Sequence, residues 1–301
     1  MEPDVKWYLL SVLFGVIEGL TEFLPVSSTA HLRIAKPLVG VSLEDPYWKM
    51  YDVVIQLGAI LAVVVYFRDR IRQFLLSFPK GASGDKTIFT HPVSLVLLAF
   101  ATTSVVILAG LLDTIKGNLE SLMVMGIALL VGGVVMWVID VRFGETGKTK
   151  DVAEVGPIQA VIVGLSQVVA AVFPGASRSM STIAGGQISG MSRSTALEFS
   201  FFLAIPTMTG AFALDLLQTL TADPGEPGAL NRSLTGTDWG VLATGFVVSF
   251  FVAWAVIAWF MAWVKKRGFV PFAIYRIVIG VAILVYVFAF QQGAEAGPVV
   301  P

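Results

Sequence analysis

Two apolar stretches of the chain, one in each half, are each interrupted by a proline and a cluster of hydroxyl side chains. The first reads Glu18-Gly-Leu-Thr-Glu22-Phe-Leu-Pro25-Val-Ser27-Ser28-Thr29-Ala-His31, and the second reads Gln167-Val-Val-Ala-Ala-Val-Phe-Pro174-Gly-Ala-Ser177-Arg178-Ser179-Met-Ser181-Thr182. They align without a gap at an offset of 149 residues, so that Gln167 falls on Glu18 and Ser177 on Ser28. Because proline ends a helix, each stretch predicts two short helices joined by a break.

The composition decides the environment of these breaks. The 301 residues are 56% hydrophobic and 14% charged, against about 25% charged residues in soluble domains, and the mean hydropathy is +0.81. We therefore expect a membrane protein, in which an ionisable group inside an apolar segment indicates a functional site. A net charge of −1 gives no reason to expect nucleic-acid binding, which requires a basic face. With no cysteine, oxygen ligands and two histidines remain for a metal site or for acid–base chemistry.

Six further apolar segments are long enough to cross a bilayer without interruption. They lie near 50–67, 92–112, 120–139, 197–218, 239–263 and 270–290. The connections rich in Lys and Arg are predicted to be cytoplasmic by the positive-inside rule, and they are 68–86, 140–150 and 264–268. The opposite connections are expected outside, and they are 113–119, 219–238 and the tail after 290. The predicted fold is an all-α polytopic membrane protein with six transmembrane helices.

The two broken segments, 7–38 and 156–190, cannot cross the membrane if this charge pattern is to hold. We predict that both are re-entrant helix-break-helix hairpins. Each half then holds one hairpin and three spans, in repeats of about 1–139 and 156–290 within a single membrane domain, 1–301. Three crossings invert the second repeat relative to the first. Such inverted-topology repeats place their polar site near the midplane, where broken helices meet.

The first break carries two acids. Glu18 and Glu22 are four residues apart, on one helical face, where their charges repel unless a cation lies between them. A divalent metal, Mg²⁺ or Ca²⁺, binds carboxylate and phosphate oxygens and is the predicted cofactor. Three hydroxyl residues suited to cap the following helix come after Pro25, and His31 lies one turn into that helix; the three are Ser27, Ser28 and Thr29.

The second break carries a cation. Arg178 lies in the first turn of the helix predicted after Pro174-Gly175, and the positive end of that helix favours an anion. A guanidinium is a permanently charged fork suited to phosphate. Hydroxyl residues around it are candidate phosphate ligands or helix caps, and they are Ser177, Ser179, Ser181 and Thr182. If the breaks meet, the combined site suits metal-assisted phosphoryl transfer.

Several polar residues leave alternatives open. Ser179 and Ser181 either contact phosphate or only hold membrane helices together. Asp52 and Gln56, one turn apart, are either partners of the acidic site or simple helix-interface residues. His91 beside Pro92 is expected at the surface. Tyr275 and Arg276 in the last span need partners that the sequence does not name, and Gln167 is expected, with Gln56, to support the residues that touch metal or substrate.

At these residues the chain strongly resembles the undecaprenyl-diphosphate phosphatases of the bacitracin-resistance type. Besides the two breaks, the resemblance includes Val54-Ile-Gln56-Leu-Gly58, Asp113-Thr-Ile-Lys116, Glu198-Phe-Ser-Phe-Phe-Leu-Ala-Ile-Pro206 and Pro271-Phe-Ala-Ile-Tyr275-Arg276. It covers nearly the whole length. Ala30 and Met180 depart from the family pattern, which has glycine at both positions.

The resemblance implies hydrolysis of undecaprenyl diphosphate to the monophosphate and inorganic phosphate, with a divalent metal. The site would open to the outer face of the bacterial cytoplasmic membrane. It implies that Glu18 and Glu22 serve metal and catalysis, and that Arg178 holds the diphosphate with the neighbouring hydroxyl residues, Ser27, Thr29, Ser177, Ser179 and Thr182. Ser28 is the expected nucleophile with His31 as its base, while attack by His31 itself or by water stays open.

The expected partners are the prenyl diphosphate and membrane lipid, with no nucleic acid, and a homodimer is left open. The alternative function is that of a prenyl-phosphate flippase or secondary transporter, because these proteins also use inverted repeats with broken helices. A transporter needs neither a nucleophile nor a carboxylate pair for a metal, so it would release no phosphate in detergent.

Overall fold

A computed structural model describes residues 3–78, 88–109, 121–221 and 232–291. Within these ranges the secondary structure is helical, apart from one isolated β-bridge between Thr149 and Met191. The helices are α1 (Pro3–Thr21), α2 (Ser28–Leu38), α3 (Pro46–Tyr66), α4 (Arg68–Ser77), α5 (Pro92–Leu108), α6 (Leu122–Phe143), α7 (Pro157–Val172), α8 (Arg178–Ile188), α9 (Arg193–Thr221), α10 (Gly236–Arg267) and α11 (Val270–Tyr286). Two short 3₁₀ turns, Ile88–Thr90 and Val152–Glu154, and a π-turn, Val287–Gln291, complete them.

Among the described residues, five helices are long and apolar enough to cross a membrane, and each matches a predicted span. They are α3, α6, α9 over Arg193–Asp215, α10, and α11 with its extension to Ala289. The remaining predicted span, 92–112, corresponds to the shorter apolar helix α5, and its last residues and the connection 113–119 lie outside the described residues. The chain is therefore an all-α, multi-pass membrane protein.

The surface of these helices is itself apolar. Val105, Val138, Phe251 and Val278 lie on four different helices, and each side chain is more than half exposed. A protein in water rarely leaves so much continuous apolar surface uncovered. Lipid is the environment that such a surface fits.

Both predicted helix breaks are present. Helix α1 gives way to α2 across residues 22–27, and α7 gives way to α8 across 173–177. The helices that follow the breaks are equally long, at 11 residues each. Each begins at a serine with positive φ, 73° at Ser27 and 69° at Ser177, whose hydroxyl accepts a hydrogen bond from the amide three residues later.

The alignment at an offset of 149 is wrong by one residue at these caps. The structure matches Ser177 to Ser27, not to Ser28, because each is the N-cap of the helix after the break. It also matches Gly190 to Gly40, which follow these two helices and both have positive φ. The reason is that α7 continues further past Gln167 than α1 continues past Glu18, while its break is one residue shorter. Arg178 therefore occupies the position of Ser28, as the first residue of its helix.

The hairpin of each half packs on a span of the other half. Helix α1 lies against α10, and α7 lies against α5, while α6 packs on α11 and α3 on α9. The aligned glycines mark both hairpin contacts, because a Cβ on Gly15 would strike the backbone of Gly245 and one on Gly164 the backbone of Ala99. This exchange brings the two breaks together in the middle of the protein.

Arg276 ties the two breaks to each other. Its side chain is fully buried in α11, and its guanidinium donates hydrogen bonds to the carbonyl oxygens of Pro25 (3.1 Å), Gly175 (3.0 Å), Ala176 (3.0 Å) and Ala128 (3.2 Å). Carbonyl groups at a helix break have no helical donor, and in an apolar interior they need another one. The partner that the sequence left unnamed is thus the backbone of both breaks.

The expectation of a surface position for His91 is wrong. His91 is 1% exposed and caps α5, accepting a hydrogen bond from the amide of Val93 at Nδ1. Its Nε2 lies 3.1 Å from the hydroxyl of Ser77. The helix starts at Pro92, so the residue before it serves as the cap, and the imidazole meets that need.

Replacing Arg276 should destabilise the fold. Arg276→Met leaves carbonyl groups of both breaks buried without donors, so we expect a loss of about 3 kcal/mol in the free energy of unfolding. Thermal unfolding of the purified protein in detergent measures it, with Arg72→Met as the control, because Arg72 is exposed on α4. Equal unfolding temperatures for the two variants would contradict the prediction.

Candidate functional site

A cavity of about 210 Å³ lies where the two breaks meet. The first break and the start of α2 contribute Glu22, Ser27, Ser28 and Thr29, and the second contributes Pro174, Gly175, Ser177 and Arg178. The remaining walls come from Gln56, Ala170, Thr207, Met208 and Ala211. Seven of the polar residues that the sequence singled out therefore surround one space.

Glu22 is the centre of this cavity's hydrogen bonding. Its Oε1 accepts a hydrogen bond from Arg178 Nη2 at 3.0 Å, and its Oε2 accepts one from the hydroxyl of Ser28 at 2.5 Å. The carboxylate and the guanidinium are 8% and 14% exposed. Hydrogen bonds to ionised groups in such a desolvated place are strong and fix geometry. One carboxylate thus connects a hydroxyl of the first half to the cation of the second.

Arg178 is held firmly but keeps donor capacity. It is the first residue of α8, its Nη1 donates to the carbonyl of Ser200 (3.2 Å), and its guanidinium lies 5.7 Å from the centre of the Phe23 ring. Its Nε is buried and has no hydrogen-bond partner. Facing the cavity from a helix N-terminus, this side chain suits an anion with several oxygens.

The two capping serines are strained. Ser27 and Ser177 have φ values of 73° and 69°, a region that residues with a side chain rarely occupy. Each such residue costs about 1–3 kcal/mol, and strain of this kind clusters at functional sites. Here it occurs at matched positions on both sides of one cavity.

Glu18 faces a second cavity, of about 310 Å³, which shares Ser28, Thr29 and Gln56 with the first. The carboxylate is 1% exposed, and its Oε1 has no hydrogen-bond partner. The other lining residues are Leu32, Arg33, Lys36, Leu43, Lys49 and Asp52. The Glu18/Glu22 pair is thus split between two adjoining spaces.

The two His31 ring nitrogens bond to groups other than the Ser28 hydroxyl. His31 Nδ1 lies 2.7 Å from the carbonyl oxygen of Ser27, which can only accept, so Nδ1 carries the proton. In the neutral ring Nε2 then accepts from the hydroxyl of Tyr275, also at 2.7 Å. Tyr275 thereby gains the partner that the sequence did not name, and the imidazole holds the backbone of a strained cap.

The hydroxyl groups of the second break divide into two sets. Ser177 lines the cavity, whereas Ser179 and Thr182 are buried away from it. The Ser179 hydroxyl donates to the carbonyl of Leu24 (3.0 Å), and the Thr182 hydroxyl lies 2.7 Å from that of Ser200. These two therefore hold helices and breaks together in this structure.

Both expected supporting glutamines are placed near the site. Gln56 lines both cavities, and Gln167 donates to Thr103 (3.2 Å) and to Thr207 (3.3 Å). Sequence reasoning missed Lys36, which is 2% exposed and pairs with Asp52 at 2.6 Å. A lysine among apolar residues of a membrane helix is the signal that could have identified it.

The protein side chains at the site supply only some of the ligands that a divalent cation needs. No group of three or more acidic, histidine or cysteine side chains that could hold a metal occurs among the described ranges. Mg²⁺, however, is bound in phosphate-handling sites by one or two carboxylates together with substrate oxygens. A buried carboxylate oxygen without a partner, Glu18 Oε1, is available for such a role.

Comparison with known proteins identifies the family of the chain. The family model described as "Bacitracin resistance protein BacA" matches residues 11–282. The undecaprenyl-diphosphatase of Koribacter versatilis is 56% identical over 281 residues, which cover 93% of this chain and 98% of that protein. Undecaprenyl-diphosphatase 2 of Paramagnetospirillum magneticum is 44% identical over 280 residues, 90% and 96% of the two chains. The undecaprenyl-diphosphatase of Caldanaerobacter subterraneus is 38% identical over 286 residues, 94% and 96%. The chain therefore belongs to the bacitracin resistance protein BacA family.

Proposed function

We propose that the chain is a membrane phosphatase that hydrolyses undecaprenyl diphosphate to undecaprenyl phosphate and inorganic phosphate. The observation that carries this proposal is the arrangement at Glu22, whose two oxygens accept hydrogen bonds from Ser28 and Arg178 at the wall of one cavity. A nucleophile, a proton acceptor and an anion-binding cation thus meet in one place. The names of the relatives favour a phosphatase over the flippase alternative.

The proposed setting is the bacterial cytoplasmic membrane, with the α1–α2 and α7–α8 hairpins re-entrant from opposite faces and six spans around them. The reciprocal packing of α1 on α10 and α7 on α5 supports an inverted repeat. In that arrangement the cavity opens to the outer face, and the prenyl chain lies in lipid between the spans.

In the proposed reaction Arg178 and the N-termini of α2 and α8 hold the diphosphate. Ser28 Oγ attacks the terminal phosphorus, and its proton passes to Glu22 Oε2, 2.5 Å away. The bond from the terminal phosphorus to the bridging oxygen breaks, and prenyl monophosphate leaves with the electron pair. The terminal phosphoryl group is then bound to Ser28.

Water completes the cycle. It adds to phosphorus and gives a proton to a phosphate oxygen, the bond to Ser28 Oγ breaks, and Glu22 returns its proton to that oxygen. Inorganic phosphate leaves, and the serine and carboxylate are restored. A divalent cation held by Glu18 would supply positive charge to phosphate oxygens that gain negative charge in the transition state.

His31 has a positioning role in this proposal. Both ring nitrogens already have partners, Ser27 O and the Tyr275 hydroxyl, so Glu22 is better placed than His31 to accept the serine proton. By bonding to Ser27, the imidazole stabilises the strained backbone directly before Ser28. Attack by His31 or by water remains the mechanistic rival, and it is separable by experiment.

Replacing Glu22 or either of its hydrogen-bond donors, Ser28 and Arg178, should strongly impair the reaction. We expect Ser28→Ala and Glu22→Gln to lower the rate of phosphate release by about 10²–10⁴-fold, and Arg178→Lys to weaken substrate binding because the fork is lost. Purified protein in detergent is assayed with undecaprenyl diphosphate. Ser104→Ala is the control, because this hydroxyl bonds only within α5. Wild-type rates in Ser28→Ala and Glu22→Gln would contradict the mechanism, and no phosphate release by the wild type would contradict the function.

The covalent intermediate distinguishes the nucleophiles. With substrate labelled in the terminal phosphate, rapid quenching should leave label on Ser28 as an acid-stable, base-labile phosphoester. Tyr275→Phe should retain this labelling, since it removes only the bond to His31 Nε2. Acid-labile label that disappears in His31→Gln would assign attack to the imidazole, and absence of label throughout would favour water.

A further inference from the structure

The cavity beside the proposed phosphate site has walls of both charges. Two carboxylates, Glu18 and Asp52, face it from α1 and α3, and three cations face it as well, Arg33, Lys36 and Lys49. It adjoins the cavity lined by Glu22 and Arg178, with which it shares the wall residues Ser28, Thr29 and Gln56. A cavity with side chains of both charges, next to the proposed diphosphate site, suits a metal–phosphate complex. Carboxylates bind the metal, and Lys and Arg side chains bind the phosphate oxygens.

Two carboxylate oxygens at this cavity are buried without a hydrogen-bond partner. They are Glu18 Oε1 and Asp52 Oδ1. The second oxygen of Asp52 accepts from Lys36 Nζ at 2.6 Å, so only Oδ1 lacks a donor. The Glu18 carboxylate is 1% exposed, whereas the Asp52 side chain is 35% exposed and only its Oδ1 is shielded. Buried charge without a partner is costly, so these atoms point to a missing cation.

Glu22 differs in this respect. Both of its oxygens already have donors, Arg178 and Ser28. Each Glu22 oxygen keeps a second lone pair, but its negative charge is already offset by these donors. Asp52 Oδ1 has no donor at all.

We propose that Glu18, Asp52 and Gln56 form a binding site for a divalent cation of the Mg²⁺ or Ca²⁺ class. Gln56 follows Asp52 by one helical turn on α3, so both residues lie on the same helix face, and both line this cavity. Substrate phosphate oxygens complete the coordination, and the cations of the cavity balance their charge. The purpose of this site depends on the proposed function. The proposal replaces the Glu18/Glu22 pair as carboxylate ligands with Glu18 of α1 and Asp52 of α3.

The competing explanation for Asp52 is that it only neutralises Lys36. A buried lysine needs a counter-ion, and removing one partner of a buried pair is strongly destabilising. The two explanations differ in a double variant. If Asp52 serves Lys36 alone, removing the lysine makes the carboxylate dispensable, whereas a metal ligand stays necessary.

The test measures Mn²⁺ binding, with Mn²⁺ as the probe, by the electron paramagnetic resonance signal of the free ion in titrations of full-length protein in detergent. We expect Glu18→Gln and Asp52→Asn to bind Mn²⁺ at least about tenfold more weakly. Lys36→Met should bind it as tightly as the wild type or more tightly, and Lys36→Met/Asp52→Asn should stay weak. Asp69→Asn is the control, because Asp69 is 89% exposed on α4.

Three outcomes would overturn the site: no Mn²⁺ binding by the wild type, unchanged binding by Asp52→Asn, or restored binding in the double variant. Gel filtration and thermal unfolding check the fold, and Gln56→Leu, which leaves the ion pair intact, tests the same site if Asp52→Asn is unstable. Phosphate release is assayed separately. A wild type that releases phosphate while Glu22→Gln, and not Asp52→Asn, loses Mn²⁺ would refute this site and leave the proposed function standing.

Discussion

The buried guanidinium of Arg276 is the contact on which the arrangement of both breaks depends. A broken helix leaves carbonyl groups without donors, and an apolar interior offers no water to satisfy them. One side chain from α11 donates to the first break at Pro25 and to the second at Gly175 and Ala176. Since the same cation bonds to both, neither break can move far without losing a bond that the other shares. The polar side chains that the two breaks bring to the cavity are held near one another by this connection.

The ion pair of Glu22 and Arg178 connects the halves a second time, 156 residues apart in sequence. It contributes less to the stability of the fold than the hydrogen bonds of Arg276 do, because the cost of desolvating a buried ion pair cancels most of its attraction. It does keep the carboxylate and the guanidinium in place before substrate arrives. A phosphate group competes with Glu22 for the guanidinium, and each hydrogen bond that Arg178 moves to phosphate leaves Glu22 more able to accept the proton of Ser28. In the proposed reaction, substrate binding and activation of the nucleophile are therefore one event.

Local chemistry in the sequence was enough to predict the long apolar helices, the two breaks and the acids and arginine near them. Proline, serine caps and apolar length act over a few residues, and each prediction of this kind matched α1–α3 and α7–α8 within a few residues. The partners of Arg276, His31 and Lys36 could not be predicted, because each depends on which helices pack together. The one-residue error in the alignment arises because α7 runs further beyond Gln167 than α1 runs beyond Glu18, a difference that no local motif in the sequence marks.

The corrected alignment changes how the two halves compare. Ser28 and Arg178 are now the same position, the first residue of a helix that starts at a strained serine. The N-termini of α2 and α8 meet at one cavity and favour negative charge there. The backbone of the repeat alone therefore supplies two equivalent helix ends suited to an anion. A hydroxyl at one end and a guanidinium at the other then differentiate them. Gln167, at the position of Glu18, differs in charge: its amide nitrogen donates to Thr103 and Thr207, while its Oε1 lacks a donor, as Glu18 Oε1 does. Only the first half carries a carboxylate at this position, and the proposed cation site lies in that half.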